Sequence, residues 1–386
     1  MSVRCSISKS GNSGGKSVLH VSSAHRVSDG RISKKEATSL AGRGYRVTVL
    51  ALCRATGAEL NPDLGYIEHG EPCSRAWRFL FRLPWLAWFC ARQRYDVYHL
   101  HDPELILLGL ILKLLGRRVV YDAHESYPMV ILDRDWIPRL LRPLLSIIWR
   151  RCEAFSAGRA NLTVVAHDVL KDQFETGQTV VVKNYPIVPD YSLAEATAMS
   201  ERPARVFYHG DLTQQRGLFS MVEAMAMLDD STSISLHLAG SLTSNDAERV
   251  QRLNGSGRSR YLGWLDGPAL AKELDNARAG LVLLHPTNNY LKIRPNKLYE
   301  YMAAGLPVIA SDFPHWREIV EHYRCGILVD PLDVPAIAGA IEQILENPEE
   351  AAEMGRRGRQ AVIERFNWQR EGEKLVEAYQ GMWVRA

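Results

Sequence analysis

Short runs rich in Val, Ile, Leu and Thr recur along the chain, each followed by a helical stretch, and the alternation occurs in two series. The first series reads as strands at Ser17–Ser23, Arg46–Leu52, Asp96–Leu100, Arg118–Ala123, Asn161–Ala166 and Val180–Lys183. Asn184-Tyr-Pro-Ile-Val-Pro then breaks the pattern, and Pro186, Pro189 and Pro203 bracket a linker. The second series reads as strands at Arg205–His209, Ser233–Ala239, Arg260–Leu262, Gly280–Leu284, Pro307–Ser311 and Gly326–Val329. Uncharged strands with intervening helices suit parallel sheets covered on both faces. The expectation is an α/β chain of two Rossmann-like domains: a loose tail at 1–16, a first domain at 17–190, a second at 191–367, and a C-terminal helix at 368–386 returning to the first. In open parallel sheets, ligands sit beyond the carboxyl ends of the strands, and a cleft between two such domains is the expected binding site.

Composition removes several classes. Of 386 residues, 46% are apolar and 24% charged, which excludes disordered and fibrous chains. The longest apolar run, Leu105 to Leu115, carries Lys113 and is too short to span a bilayer, so it reads as a core helix. Residues 1–17 have no apolar core of a signal peptide. The six cysteines are scattered without a CxxC, as expected of reduced thiols in a cytoplasmic protein. Residues 1–190 hold 26 Lys and Arg against 18 Asp and Glu, a balance of +8, whereas the remainder is −5. A basic first half points to an anionic neighbour for that half alone. No GxxxxGK[ST], HExxH or nucleic-acid-binding module occurs, and no nucleic-acid partner is expected.

Arg294-Pro-Asn-Lys-Leu-Tyr-Glu-Tyr-Met-Ala-Ala-Gly-Leu-Pro-Val-Ile-Ala-Ser311 is the most informative stretch. Pro295 suits a helix start, and Gly305 with Pro307 ends the helix. Asn296 and Glu300 then share a face. Lys297 sits in the first turn, where a phosphate is favoured, and Glu300 could accept hydrogen bonds from a ribose diol. An ordinary amphipathic helix with a solvated charged face has the same spacing.

This stretch resembles the donor-binding segment of retaining GT-B glycosyltransferases of family 4, and the resemblance extends over about residues 17 to 380. It implies a GT-B fold with two domains facing across a cleft, a nucleotide-sugar donor (UDP- or GDP-linked), retention of anomeric configuration and no cofactor or metal. Glu300 falls on the family's ribose-binding Glu, and Lys292 stands where the family has its sugar-contacting Glu. Lys297 falls on a diphosphate-binding position. Tyr208-His-Gly-Asp-Leu-Thr-Gln-Gln-Arg-Gly217 resembles the family's phosphate loop, with Gly210 in the turn and Arg216 on its Lys position. Asp211 replaces an expected Arg. Glu318, in Phe313-Pro-His-Trp-Arg-Glu, aligns near the nucleotide edge. Gly30 lies in the first strand–helix loop, where backbone approaches a ligand. Arg31 and Lys35 could contact an acceptor phosphate, or form a generic basic helix start.

Tyr98-His-Leu-His-Asp-Pro-Glu and Tyr121-Asp-Ala-His-Glu both end strands of the first series. His124 matches a family His near the reacting sugar, with Glu125 beside it. His101 and Asp102 could contact acceptor or shape the loop. A metal site of His, Asp and Glu is conceivable there, but none is expected. The resemblance therefore assigns catalysis to His124, Glu125, Arg216 and Lys297.

Two further segments, 75–92 and 136–151, interleave Arg with Trp and aliphatic residues and contain no acidic residue. Such segments lie in membrane interfaces, although a core-facing stripe with snorkelling Arg has the same composition. A peripheral membrane enzyme on the inner face of the plasma membrane, acting on a lipid-linked or oligosaccharide acceptor in surface polysaccharide assembly (lipopolysaccharide or exopolysaccharide), is the expectation. A GT-B-fold sugar-nucleotide epimerase and a non-catalytic nucleotide-sugar-binding partner are the alternatives.

Overall fold

A computed structural model describes residues 4–6, 15–52, 60–70, 77–134, 136–174, 178–191, 198–229 and 234–384. Arg75 of the first Arg/Trp segment lies outside them. The chain divides into two compact units, one of Met1–Asn184 with Trp368–Ala386, the other of Tyr185–Asn367.

The first unit is built on eight strands: β1 (Arg4–Ser6), β2 (Ser17–Arg26), β3 (Arg46–Leu52), β4 (Gly65–Glu68), β5 (Val97–Leu100), β6 (Arg118–Ala123), β7 (Leu162–Val165) and β8 (Thr179–Val181). Their order is β1-β4-β3-β2-β5-β6-β7-β8. All neighbours are parallel except β1, which runs antiparallel to β4. The segment expected as a loose tail thus contributes an edge strand, and β4 was not expected at all. Both are too short to show a period in the sequence.

The second unit has six parallel strands: β9 (Arg205–His209), β10 (Ser235–Ala239), β11 (Ser259–Tyr261), β12 (Ala279–Val282), β13 (Val308–Ser311) and β14 (Gly326–Val329), in the order β11-β10-β9-β12-β13-β14. Strand residues alternate between two cores. Val206 and Tyr208 pack on one face with Leu218, Met221 and Ile337, while Phe207 packs on the other with Tyr301, Met302 and Trp316.

In each sheet the order reverses beside its first central strand: between β2 and β5 in one, between β9 and β12 in the other. Loops leaving neighbouring strands in opposite directions open a crevice at these points.

The C-terminal helix Trp368–Val384 is integral to the first unit. Trp368 Nε1 donates to Ser39 Oγ at 2.9 Å. Glu371 accepts the Lys183 N–H at 2.9 Å. The Tyr379 hydroxyl lies 2.8 Å from His99 Nδ1, with both residues fully buried. Tyr379→Phe keeps the shape and leaves His99 Nδ1 without its partner. It should destabilise the first unit by about 1–3 kcal/mol, read as a lower urea midpoint with an unchanged slope.

Candidate functional site

In the first unit the carboxyl ends of β2, β5 and β6 carry a dense polar network. The turn after β2 is fixed by Asp102, whose Oδ2 accepts from Ser22 Oγ at 2.8 Å and from the Ser23 N–H at 2.6 Å. Asp29 then caps the next helical segment, its Oδ1 accepting from the Arg31 and Ile32 N–H groups, both at 2.9 Å. That segment, Gly30–Ala37, is a π-helix continued by Thr38–Ala41, and its inward face carries Arg31 and Glu36.

Arg31 does not present itself to a ligand. Its Nε and Nη2 bind the two Asp122 oxygens at 3.1 and 2.9 Å, and Nη1 donates to the Val182 carbonyl at 3.0 Å. It also pairs with Glu36 at 2.9 Å. Lys35 donates to Asn184 Oδ1 at 2.6 Å. The expectation that these two cations reach an acceptor phosphate is corrected here for Arg31: a strand-end carboxylate 91 residues away takes its guanidinium. His101 and Asp102 are likewise buried and engaged internally, so they shape the site instead of lining it. Gly30 is exposed and Glu125 is exposed.

Burial alone would raise the Asp122 pKa, but the adjacent Arg31 charge, with His124 and His101, holds the carboxyl well below its usual range. Glu36 goes the other way: burial and the Asp122 charge push it well above the ordinary range, against the pull of Arg31. Arg31 and Asp122 thus form an ion pair at the centre of the network. Burial pushes His20, His99 and His101 down, and these three neutral rings lie against one another, with centroids 4.4–5.0 Å apart.

Two groups here could offer metal-ligand atoms within 4.8 Å of one another: His20, Glu36, His99 and His101, and His101, Asp122 and His124. In both, His101 has its nitrogens engaged, Nδ1 with Asp122 at 3.1 Å and Nε2 with His20 at 2.8 Å, and the carboxylates face the Arg31 guanidinium. The arrangement is a hydrogen-bonded network.

His25 and His124 rise from this network to its surface, their rings 5.5 Å apart. His124 Nε2 is 2.7 Å from Asp122 Oδ2. His25 lies 3.0 Å from Asp29 and 3.5 Å from Asp102. Burial would lower its pKa, yet the Asp29 hydrogen bond and the charges of Asp29 and Asp102 push it up to about 9. Sequence reasoning missed His25, Asp29, Glu36 and Asp122. Only Asp29 left a readable trace, a capping residue ahead of a helix.

In the second unit the site gathers at the end of β9. Gly210 has φ +123°, and a Cβ there would lie 2.5 Å from both Cε and Nζ of Lys297. Gly240, at φ +133°, lets the next strand end pass the Gly210 carbonyl, which a Cβ would meet at 1.8 Å. Helix Asn296–Ala303 starts after Pro295, which is the residue before the helix, and places Asn296 and Lys297 in its first turn. Burial and the neighbouring Arg216 charge lower the Lys297 pKa, with Glu300 and Asp211 opposing. Arg216 pairs with Asp211 at 3.2 Å. Two cations close together beside open glycine backbone favour an anion.

Glu300, one turn along, faces His209 at 3.4 Å. Burial lowers the His209 pKa to about 4, so this ring is neutral. Sequence reasoning missed His209. Lys292 is exposed in the turn before the helix, its N–H donating to Asn289 O at 3.0 Å. Glu318 is exposed and pairs with Arg294, and Arg294 Nε and Trp316 Nε1 tie that turn to helix Pro314–Tyr323 through His315 and Ile293 carbonyls, both at 2.8 Å.

Residues 34–184 match Glycosyltransferase Family 4, and residues 193–361 match glycosyl transferases group 1. The chain is 23% identical to a glycogen synthase of Mycobacterium tuberculosis, over 89% of this chain and 88% of that protein. Over 82 residues, 21% of each chain, it is 34% identical to a GDP-mannose-dependent alpha-(1-6)-phosphatidylinositol monomannoside mannosyltransferase of the same species. Its fold is similar to that of sucrose-phosphate synthase from Thermosynechococcus elongatus, with a TM-score of 0.74 and 21% identity over 96% of this chain and all of that one.

Two outcomes test these sites. The His25 pKa is raised from 6.5 to about 9, so the stability it contributes is present below about pH 6.5 and is lost as pH rises through about 9. His25→Gln should flatten the fall in melting temperature across that window. In the second unit, Gly210→Ala drives a methyl into Lys297 and should remove any melting-temperature rise produced by nucleoside diphosphates in the parent protein.

Proposed function

Given that the chain is a glycosyltransferase of the GT-B fold using a nucleotide-sugar donor, we propose that it transfers the sugar to a lipid-linked glycan at a membrane surface, with retention of anomeric configuration, in surface polysaccharide assembly. The observation that carries the acceptor is an inverted helix. Arg142–Ala157 buries Glu153, Ser156 and Ala157, while Leu144, Leu145, Ile147, Ile148 and Phe155 are exposed. Its neighbour through Ile106–Leu114, helix Leu83–Arg92, exposes Trp88. The turn entering that helix exposes Trp77, Phe79, Leu80 and Phe81, and Leu140 is 93% exposed. Arg92, Arg94, Arg139, Arg150 and Arg151 stand exposed among them. Exposed apolar surface of this extent marks an interaction site, and the interspersed Arg suits an anionic lipid surface. No helix among the described residues is long and apolar enough to cross a membrane, so the contact would be peripheral. The mannosyltransferase noted above is named for a phosphatidylinositol-containing acceptor, which supports a lipid here.

In this reading, Arg216, Lys297 and the Gly210 backbone hold the donor diphosphate and stabilise the charge that develops on it as it leaves. Glu300 holds the ribose, Asn296 and Lys292 flank the donor, and Glu318 borders the nucleotide. His124, with Glu125 beside it, contacts the reacting sugar. Asp211, paired with Arg216, tempers the positive charge at the phosphate site.

Co-sedimentation with vesicles tests the membrane claim. The protein should pellet with vesicles containing anionic phosphatidylglycerol, less so as salt rises, and Trp88→Ser with Ile148→Ser should release it. Absence of binding to either anionic or zwitterionic vesicles would overturn the claim. Radiolabelled UDP- and GDP-sugars incubated with membrane lipid extract should then place label in the organic phase.

A further inference from the structure

His124 is held at only one of its two nitrogens. Nε2 lies 2.7 Å from Asp122 Oδ2, and Nδ1 has no partner among the described residues, on a side chain 21% exposed. What Asp122 can do for this ring is fixed by its other partners. Arg31 donates from Nε to Oδ2 at 3.1 Å and from Nη2 to Oδ1 at 2.9 Å. His101 Nδ1 lies 3.1 Å from Oδ2. On the far side of His101, Nε2 meets His20 Nδ1 at 2.8 Å, so the pair is consistent when His20 donates and His101 passes its own hydrogen to Asp122. With a guanidinium on both oxygens, the Asp122 carboxylate is an anion that only accepts. A neutral His124 must then carry its hydrogen on Nε2, because two lone pairs cannot share a 2.7 Å contact.

We propose that Asp122 is a positioning residue for His124, locking the imidazole in the Nε2–H tautomer so that a bare Nδ1 accepts a hydrogen bond from a substrate hydroxyl. The role of Nδ1 rests on the glycosyltransferase site described above; the tautomer does not. Arg31 fixes the carboxylate in turn, anchored through Nη1 to the Val182 carbonyl at 3.0 Å. Asp29 and Asp102 hold His25 beside the pair, and Glu36 closes the network behind Arg31. A hydroxyl, as a donor, matches a bare nitrogen among these carboxylates, whereas a phosphate oxygen does not.

Long-range 15N–1H NMR of the histidine rings reads the tautomer without substrate. In the parent protein, His124 should show the Nε2–H pattern. In Asp122→Asn, the amide oxygen takes the Oδ2 place, where Arg31 Nε, His101 Nδ1 and His124 Nε2 converge, but as a neutral and weaker acceptor, so the Nδ1–H form of His124 should gain population. With a donor and acceptor in hand, Asp122→Asn should lower kcat by about 100-fold or more and change KM by less than about 3-fold. In a His124→Gln background, the same substitution should cost less than about 3-fold, since its effect passes through the ring. An Nδ1–H pattern in the parent protein, or effects of the two substitutions that multiply, would overturn the proposal. Should Asp122→Asn fail to fold, the parent spectrum alone decides.

Discussion

One buried ion pair organises the first unit. Arg31 and Asp122, 5% and 1% exposed, meet through two hydrogen bonds. The guanidinium enters from the helical turn after β2, the carboxylate from the end of β6, and the third contact reaches Val182 just past β8. Removing either partner would strand the other charge in the interior, at a cost of about 3–5 kcal/mol. The pair therefore fixes where the first loop of the fold leaves the sheet. His101 and His124 both turn a ring nitrogen to the same carboxylate, and Glu36 packs against the same guanidinium.

The second unit solves a different problem. It brings two cations, Arg216 and Lys297, to one glycine turn, with Asp211 paired to the first of them. Lys297 lies against the Gly210 turn, and burial with the neighbouring Arg216 charge pulls its pKa down. Glycine at 210 and 240 keeps side-chain bulk away from the same point. Two cations beside open glycine backbone favour an anionic ligand, and most of all one whose charge grows as it leaves.

The alternation of strands and helices was legible because central parallel strands are apolar on both faces. Arg46–Leu52, Arg118–Ala123, Arg205–His209 and Gly326–Val329 coincide with the sequence reading at both ends. Gly65–Glu68 and Arg4–Ser6 were not legible, since edge pairing depends on a partner distant in the chain. The helix bearing Lys297 and Glu300 was readable for a local reason: cap, charge and glycine stop all lie within a dozen residues. The network around Asp122 was not. Arg31 resembles any solvated cation until the fold brings a carboxylate to it, and His25 gains its charge from Asp29 and Asp102, the second of them 77 residues on by chain number. The Arg/Trp segments had two readings in sequence, and the exposure of Leu144, Ile147 and Ile148 speaks against a core-facing stripe in the second of them.

The central claim is that the second unit grips a nucleoside diphosphate between the β9 turn and the start of helix Asn296–Ala303. A crystal structure with a bound nucleoside diphosphate tests it most directly. The account predicts the diphosphate against the Gly210 backbone, Arg216 and Lys297, with the ribose hydroxyls on Glu300. A nucleotide bound away from Lys297 and Glu300 would contradict it.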